Sequence, residues 1–280
     1  MKNRTIDAGR EAVRPCAVCG TFYPSDPAQL ASTVDGLFEE IPRQEGSRIL
    51  GIIAPHAGYL YSGPTAASAY GRLRGSTYDA VLIVAPSHRE YFECVTVFDG
   101  SGYGTPLGVV PVDGGLRDAF LEASPAIHRS RSGHGGEHAV EVQLPFLQRA
   151  LGKFSFVPLV IGHQTPATCF DLGKTMAQVV AEKRILLVAS TDLSHYYPAD
   201  VAHRLDAVVI SDLRSFSERA LMDHLEQGAA EACGGGPAVA VLTALRKLGS
   251  SRVDILHYAT SGDVTGDMRS VVGYVGAVAV

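Results

Sequence analysis

The chain has 280 residues, of which 46% are apolar and 19% charged; this excludes a disordered chain and supplies enough apolar side chain for a full core. Its 24 basic and 29 acidic residues leave a formal charge of −5, and without a basic block no nucleic-acid partner is expected. The first 14 residues are polar, and the longest apolar run, 271–280, is half of the roughly 20 residues that a membrane helix needs. A soluble, cytoplasmic protein without a membrane segment is therefore expected.

Residues 1–13 read as a tail and 14–280 as one domain without repeats or linkers. A helix is predicted over 27–40, with Asp26 as its cap, Pro27 in its first turn and Leu30, Val34, Leu37 and Phe38 at near-helical spacing. Buried strands follow at 49–53 and 80–84 around a helix at 64–73; residues 91–98 suit an antiparallel edge strand. The remaining pattern is a helix at 137–151, a strand at 156–161, a helix at 167–182 and a strand at 185–189. Helices at 201–214 and 237–248, a strand at 254–258 and a terminal strand or strand pair at 271–280, which like 91–98 suits an antiparallel edge, complete it. Buried strands alternating with helices define an α/β sandwich, with helices on both faces of a mixed, largely parallel central sheet.

Three of these strands each run into a polar segment that carries a histidine: Ala54-Pro55-His56-Ala57-Gly58-Tyr59, Ala85-Pro86-Ser87-His88 and Ser190-Thr191-Asp192-Leu193-Ser194-His195. Ligands of open α/β sheets bind beyond the carboxyl ends of strands, so three imidazoles at three such ends are candidates for one cavity if the strands are neighbours. Pro55 and Pro86 end the pairing and fix where the next side chain points.

Two further segments join them. In Gly135-Gly136-Glu137-His138-Ala139-Val140-Glu141, His138 and Glu141 fall at i, i+3 and would share one helical face, either as a metal or acid–base pair or as a solvated first turn. In Ala232-Cys233-Gly234-Gly235-Gly236-Pro237 the cysteine precedes a helix, where the dipole favours thiolate, and the glycines free backbone amides. Cys233 is the strongest functional candidate of the five cysteines. Cys16-x-x-Cys19 lacks a second ligand pair for zinc and the strand–helix setting of a thioredoxin-like motif, and Cys94 and Cys169 read as structural. No P-loop, dinucleotide-binding Gly-x-Gly-x-x-Gly or Gly-x-Ser-x-Gly elbow occurs.

Together with Phe22-Tyr23-Pro24, these motifs resemble those of the Memo (MEMO1, mediator of ErbB2-driven cell motility) family, whose bacterial and archaeal members are also called AmmeMemoRadiSam system protein B. The resemblance spans about residues 14–280 and implies a fold like that of the class III extradiol, LigB-type, dioxygenases. It implies a metal site of His56, His88 and Cys233. His195 and Asp192 would then be catalytic, with His195 moving protons and Asp192 orienting an imidazole; His138, Glu141, Tyr59 and Gly234 would face the substrate. Such dioxygenases hold non-haem Fe(II) with two histidines and a carboxylate; Fe(II) is the expected ion, but Cys233 in the carboxylate's place departs from that set, and a softer thiolate favours the alternatives Cu(I) or Zn more than a carboxylate would. The implied function is a dioxygenase-like redox protein acting on a small substrate. AMMECR1-like and radical-SAM proteins would be its pathway partners. The alternative is a non-catalytic copper- or iron-handling, or peptide-binding, protein, and a metal-free cysteine enzyme with Cys233 as nucleophile is a third possibility.

Overall fold

The computed structural model describes residues 12–43 and 48–280, so most of the tail expected at 1–13 lies outside the described residues. In chain order the elements are β1 (Val13–Arg14), α1 (Pro27–Phe38), β2 (Gly51–Ala54), α2 (Tyr59–Tyr70), β3 (Ala80–Pro86), β4 (Val95–Phe98), β5 (Gly102–Thr105), β6 (Gly108–Pro111), α3 (Gly114–Ala123), β7 (Ile127–Ser130), α4 (Leu144–Leu151), β8 (Phe156–Ile161), α5 (Pro166–Val180), β9 (Ile185–Ser190), β10 (His195–Tyr197), α6 (Ala199–Arg214), α7 (Glu218–Glu226), α8 (Gly235–Lys247), β11 (Val253–Thr260), α9 (Gly262–Thr265) and β12 (Val271–Ala279).

The main sheet runs β10-β12-β2-β9-β3-β8-β4-β7, with β11 paired to β12, and β1-β5-β6 form a smaller sheet. Its centre, β2-β9-β3-β8, is parallel, while β12 and β4 flank it antiparallel. The fold is thus the expected mixed α/β sandwich. The segments expected at an edge, 91–98 and 271–280, are instead internal, because β7 covers β4 and β10 and β11 cover β12.

Alternation along the strands divides the core between two faces, as the two-residue period of a strand requires. Leu82, Val84, Leu187 and Ala189 pack towards α3, α5, α6, α7 and α8. Val81, Ile83, Leu186 and Val188 pack towards α1, α2 and α4. Helix α5 lies close on α8 because residue 173 is glycine: a Cβ there would stand 2.5 Å from Thr243 Cβ. No helix among the described residues is long and apolar enough to cross a membrane.

Two helices depart from the sequence expectation. Helix α2 starts at Tyr59, five residues before Pro64, because the carbonyl of Gly58 takes the N–H groups of Tyr61 and Ser62. Pro64 then deprives only the Leu60 carbonyl of its i+4 donor, at a residue 70% exposed. The helix expected over 137–151 begins only at Leu144, after a single 3-10 turn at Glu141–Gln143. The N–H groups of His138 and Ala139 donate to the Glu137 carboxylate, and Arg14 takes the Glu137 carbonyl, so this stretch spends its polar groups on side chains.

Candidate metal centre

Strands β2, β9 and β3 are consecutive in the sheet, so the segments after them converge at their carboxyl ends. They bring His56, His88, Asp192 and His195 to a cavity of about 380 Å³, where His138, Phe22, Tyr196 and Tyr274 complete the walls. A larger groove of about 690 Å³, lined by residues such as Leu107, Val109 and Phe154, shares no residue with it. Convergent titratable groups, rather than volume, mark the smaller cavity as the site.

One ring nitrogen from each of His56, His88 and His138 lies within 4.8 Å of the other two. The ring centroids are 5.0 to 5.3 Å apart. The hydrogen bonds around the rings decide which nitrogens are free. Ser190 Oγ donates its one hydrogen to the Ala139 carbonyl at 2.7 Å and accepts from Gln143 Nε2 at 2.8 Å. The Gln143 amide is fixed in turn, donating also to the Pro55 carbonyl while its oxygen accepts from Tyr70 Oη. His56 Nδ1, 2.8 Å from Ser190 Oγ, must therefore be the donor, which leaves Nε2 as the lone-pair atom. Burial, together with the neighbouring imidazoles of His138 and His88, holds His56 well below the ordinary histidine range, so this ring is neutral.

Glu137 anchors the other two. Its carboxylate accepts the His88 N–H at 2.6 Å and His88 Nδ1–H at 3.0 Å, and lies 3.2 Å from His138 Nδ1. Burial opposes ionisation of this carboxyl, but the hydrogen bonds from His138 and His88 prevail and keep it well below the usual carboxylate range. With Nδ1 of both rings turned to one carboxylate, Nε2 is the free nitrogen of each. A carboxylate or hydroxyl behind the ring is how proteins orient histidine ligands for a metal.

Cys233 Sγ stands 3.2 Å from His56 Nε2 and accepts the Asp192 N–H at 3.3 Å. The dipole argument for a thiolate is not met in this arrangement: burial, reinforced by the Asp192 carboxylate, pushes the thiol up. Asp192 itself is raised by burial. Its Oδ1 accepts the backbone N–H of His56 at 2.8 Å, so it positions the His56 loop rather than the His195 ring. His195 instead has Glu231 for company: its N–H donates to Oε1 at 3.0 Å, and Nδ1 lies 3.7 Å from the same oxygen.

Three residues expected to face substrate lie elsewhere. Glu141 is fully buried and accepts from Arg14 Nη1 at 2.6 Å, the Ala17 and Val18 N–H groups and Tyr23 Oη. It shares no helical face with His138, since no helix forms there. Tyr59 is buried between Tyr23 and Phe146, with its hydroxyl on the Val142 carbonyl at 2.7 Å. Gly234 is required by packing: a Cβ would stand 2.1 Å from the Ser190 carbonyl oxygen, and its N–H donates to Thr191 Oγ1. His138, read as an outer group, belongs to the imidazole cluster. The anchors Glu137 and Ser190 lie inside the same motifs, and only the fold gives them their role. Their signal was a glutamate next to a candidate ligand and a hydroxyl at a strand's last residue. Cys16 and Cys19 form a disulfide.

Fold and site define an α/β protein with a histidine-lined cleft at the carboxyl ends of parallel strands. The family of Memo-like proteins matches residues 14–278, and the chain belongs to that family. It is 40% identical over 267 residues to a MEMO1 family protein of Methanosarcina mazei, covering 94% of this chain and 97% of that one. Similar relatives occur in Methanothermobacter thermautotrophicus, 38% identical over 94% and 98% of the two chains, and in Aquifex aeolicus, 36% identical over 95% and 98%. The fold is also similar to the crystal structure of an uncharacterised Escherichia coli K12 protein, with a TM-score of 0.54 at 17% identity, covering 83% of this chain and 100% of that one.

Proposed function

We propose that this protein is a metal-dependent redox protein whose ion is held by His56, His88 and His138, with the Cys233 sulfur beside His56 as a further donor once an ion has displaced its proton. The observation that carries this reading is the set of three Nε2 atoms that Ser190 and Glu137, by engaging Nδ1 of each ring, leave as the lone-pair atoms. Three lone pairs gathered in one small cavity favour a cation, and imidazole suits Fe, Cu, Zn and Ni. The donor set fits such an ion, with the anchoring expected behind each ring.

The finer reading is non-haem Fe(II) acting on a small substrate in a dioxygenase-like reaction, in a pathway shared with AMMECR1-like and radical-SAM proteins. Bound iron would supply Lewis acidity and one-electron chemistry. Around it, Phe22, Tyr196 and Tyr274 would limit water and seat an organic ligand. His195, backed by Glu231, would take or give a proton at the ligand, and Asp192 would hold the His56 loop in place. The resemblance-based triad of His56, His88 and Cys233 remains a competing ligand set. Cys233 also favours a second reading: a soft sulfur donor beside His56 suits Cu(I) or Zn storage without turnover.

Purification without oxygen, metal quantification and O₂ uptake on exposure to air test these readings. About one iron per chain, lost in His56→Ala and His138→Ala and reactive with O₂, supports the redox reading. Copper or zinc without O₂ uptake supports storage.

A further inference from the structure

Cys16 and Cys19 are unused by the proposed function, yet Phe22, three residues after Cys19, lines its cavity. Both are half-buried, whereas Cys169 is fully buried. The four-residue loop closed by their disulfide turns the Ala17 and Val18 N–H groups onto the Glu141 carboxylate at 2.7 and 3.1 Å. The Val18 carbonyl then accepts the N–H groups of Thr21 and Phe22 at 3.1 and 2.9 Å. This turn delivers Phe22 to the cavity wall, its ring centroid 4.9 Å from that of His138. The Phe22 carbonyl accepts the Tyr59 N–H at 2.7 Å, which ties the same loop to the segment after His56.

We infer that Cys16–Cys19 is a reducible site that takes electrons from a dithiol, and that its oxidation state sets how firmly the Phe22 wall closes the imidazole cavity. Cysteines with two residues between them are suited to such exchange. One thiolate of the dithiol attacks a sulfur of the pair; the Cys16–Cys19 bond breaks and the departing sulfur takes a proton. The second thiol of the reagent, losing its proton, then attacks the mixed disulfide and frees the other cysteine as a thiol. Two electrons and two protons pass to the protein, and the reagent ends as its own disulfide. Losing the cross-link returns chain entropy to a very short ring, roughly a tenfold shift in the equilibrium for local opening. Glu141 keeps Arg14 and Tyr23 as partners, so the opening stays local.

The test is amide hydrogen exchange on the full chain, purified in air without reductant and held metal-free with a chelator, before and after dithiothreitol. Free thiols are trapped with N-ethylmaleimide and mapped. Cys16 and Cys19 should label only after reduction. Exchange over residues 17–23 and at Tyr59 should then rise about tenfold, with β3 and β9 unchanged and the slow rate restored on reoxidation. Cys16→Ser combined with Cys19→Ser should exchange at the fast rate with or without reductant. Labelling of either cysteine before reduction, or unchanged exchange after it, overturns the inference. No metal is present in the test, so its outcome is independent of the metal reading.

Discussion

Glu137→Gln is the sharpest probe of how the imidazoles are oriented, because it changes the anchor almost without changing its shape. In the native protein Oε1 faces Nδ1 of His88 and of His138 and the N–H groups of His138 and Ala139, and Oε2 accepts the His88 N–H. An amide offers one acceptor oxygen and one NH₂. The less costly placement leaves its oxygen facing the two rings and the two N–H groups and its NH₂ against the His88 N–H, a buried donor–donor conflict of about 1–3 kcal/mol. The alternative turns the NH₂ on all of the former and is worse. The His88 segment must therefore shift, and loss of a partner behind a ligand typically costs about 10–100-fold in metal affinity. In a chain of this size about 2–4 °C of Tm is lost per kcal/mol. Competition with a chromophoric chelator and a thermal melt measure both effects. Native affinity and an unchanged Tm in Glu137→Gln would refute the assignment of Glu137 as the common anchor.

Ser190→Ala removes the hydroxyl that fixes His56 Nδ1 as a donor; metal affinity should fall by about 10–100-fold in the same competition assay, with the far-UV spectrum unchanged. Glu141→Gln breaks the buried Arg14 pair, so unfolding should be easier by about 3–5 kcal/mol in urea, while each folded molecule keeps its metal content; loss of metal with native stability would return Glu141 to the cavity. His134 is fully buried between Thr96 and Tyr103, and burial is the main reason that its pKa is lowered to about 3. Between that value and 6.5 the unfolded chain binds the proton and the folded chain does not, so His134 makes stability fall as pH falls, by about 1.4 kcal/mol per unit. Urea unfolding at pH 7, 6 and 5 should show a shallower loss in His134→Gln than in the native chain, and parallel curves would contradict the reasoning.

The sequence disclosed the central strands because buried β-branched runs are legible without knowing their neighbours; 156–161 is β8 to the residue. It also disclosed His56 and His88, since a proline at the end of each strand marks where a side chain is aimed. What stayed hidden depends on partners distant in sequence. The local pattern at Glu137 and His138 favours a helix start; Arg14, 123 positions away, draws the Glu137 carbonyl out of any helical ladder. Glu141 looked like a site residue for its charge and spacing, and only the fold shows that charge spent on Arg14 and Tyr23. Helices α3 and α7 are not legible in the pattern, since each buries only two apolar side chains, Leu116 and Phe120 in α3 and Leu221 and Met222 in α7, too few to show a helical period.

Whether three imidazoles present Nε2 to one ion is tested most directly by metal content after anaerobic purification, with His138→Ala and Cys233→Ala beside the native chain. About one ion per native chain, lost in His138→Ala and retained in Cys233→Ala, is the expected result. Loss in Cys233→Ala with retention in His138→Ala would make the centre a His56, His88 and Cys233 site, and a native chain without metal would contradict the central claim outright.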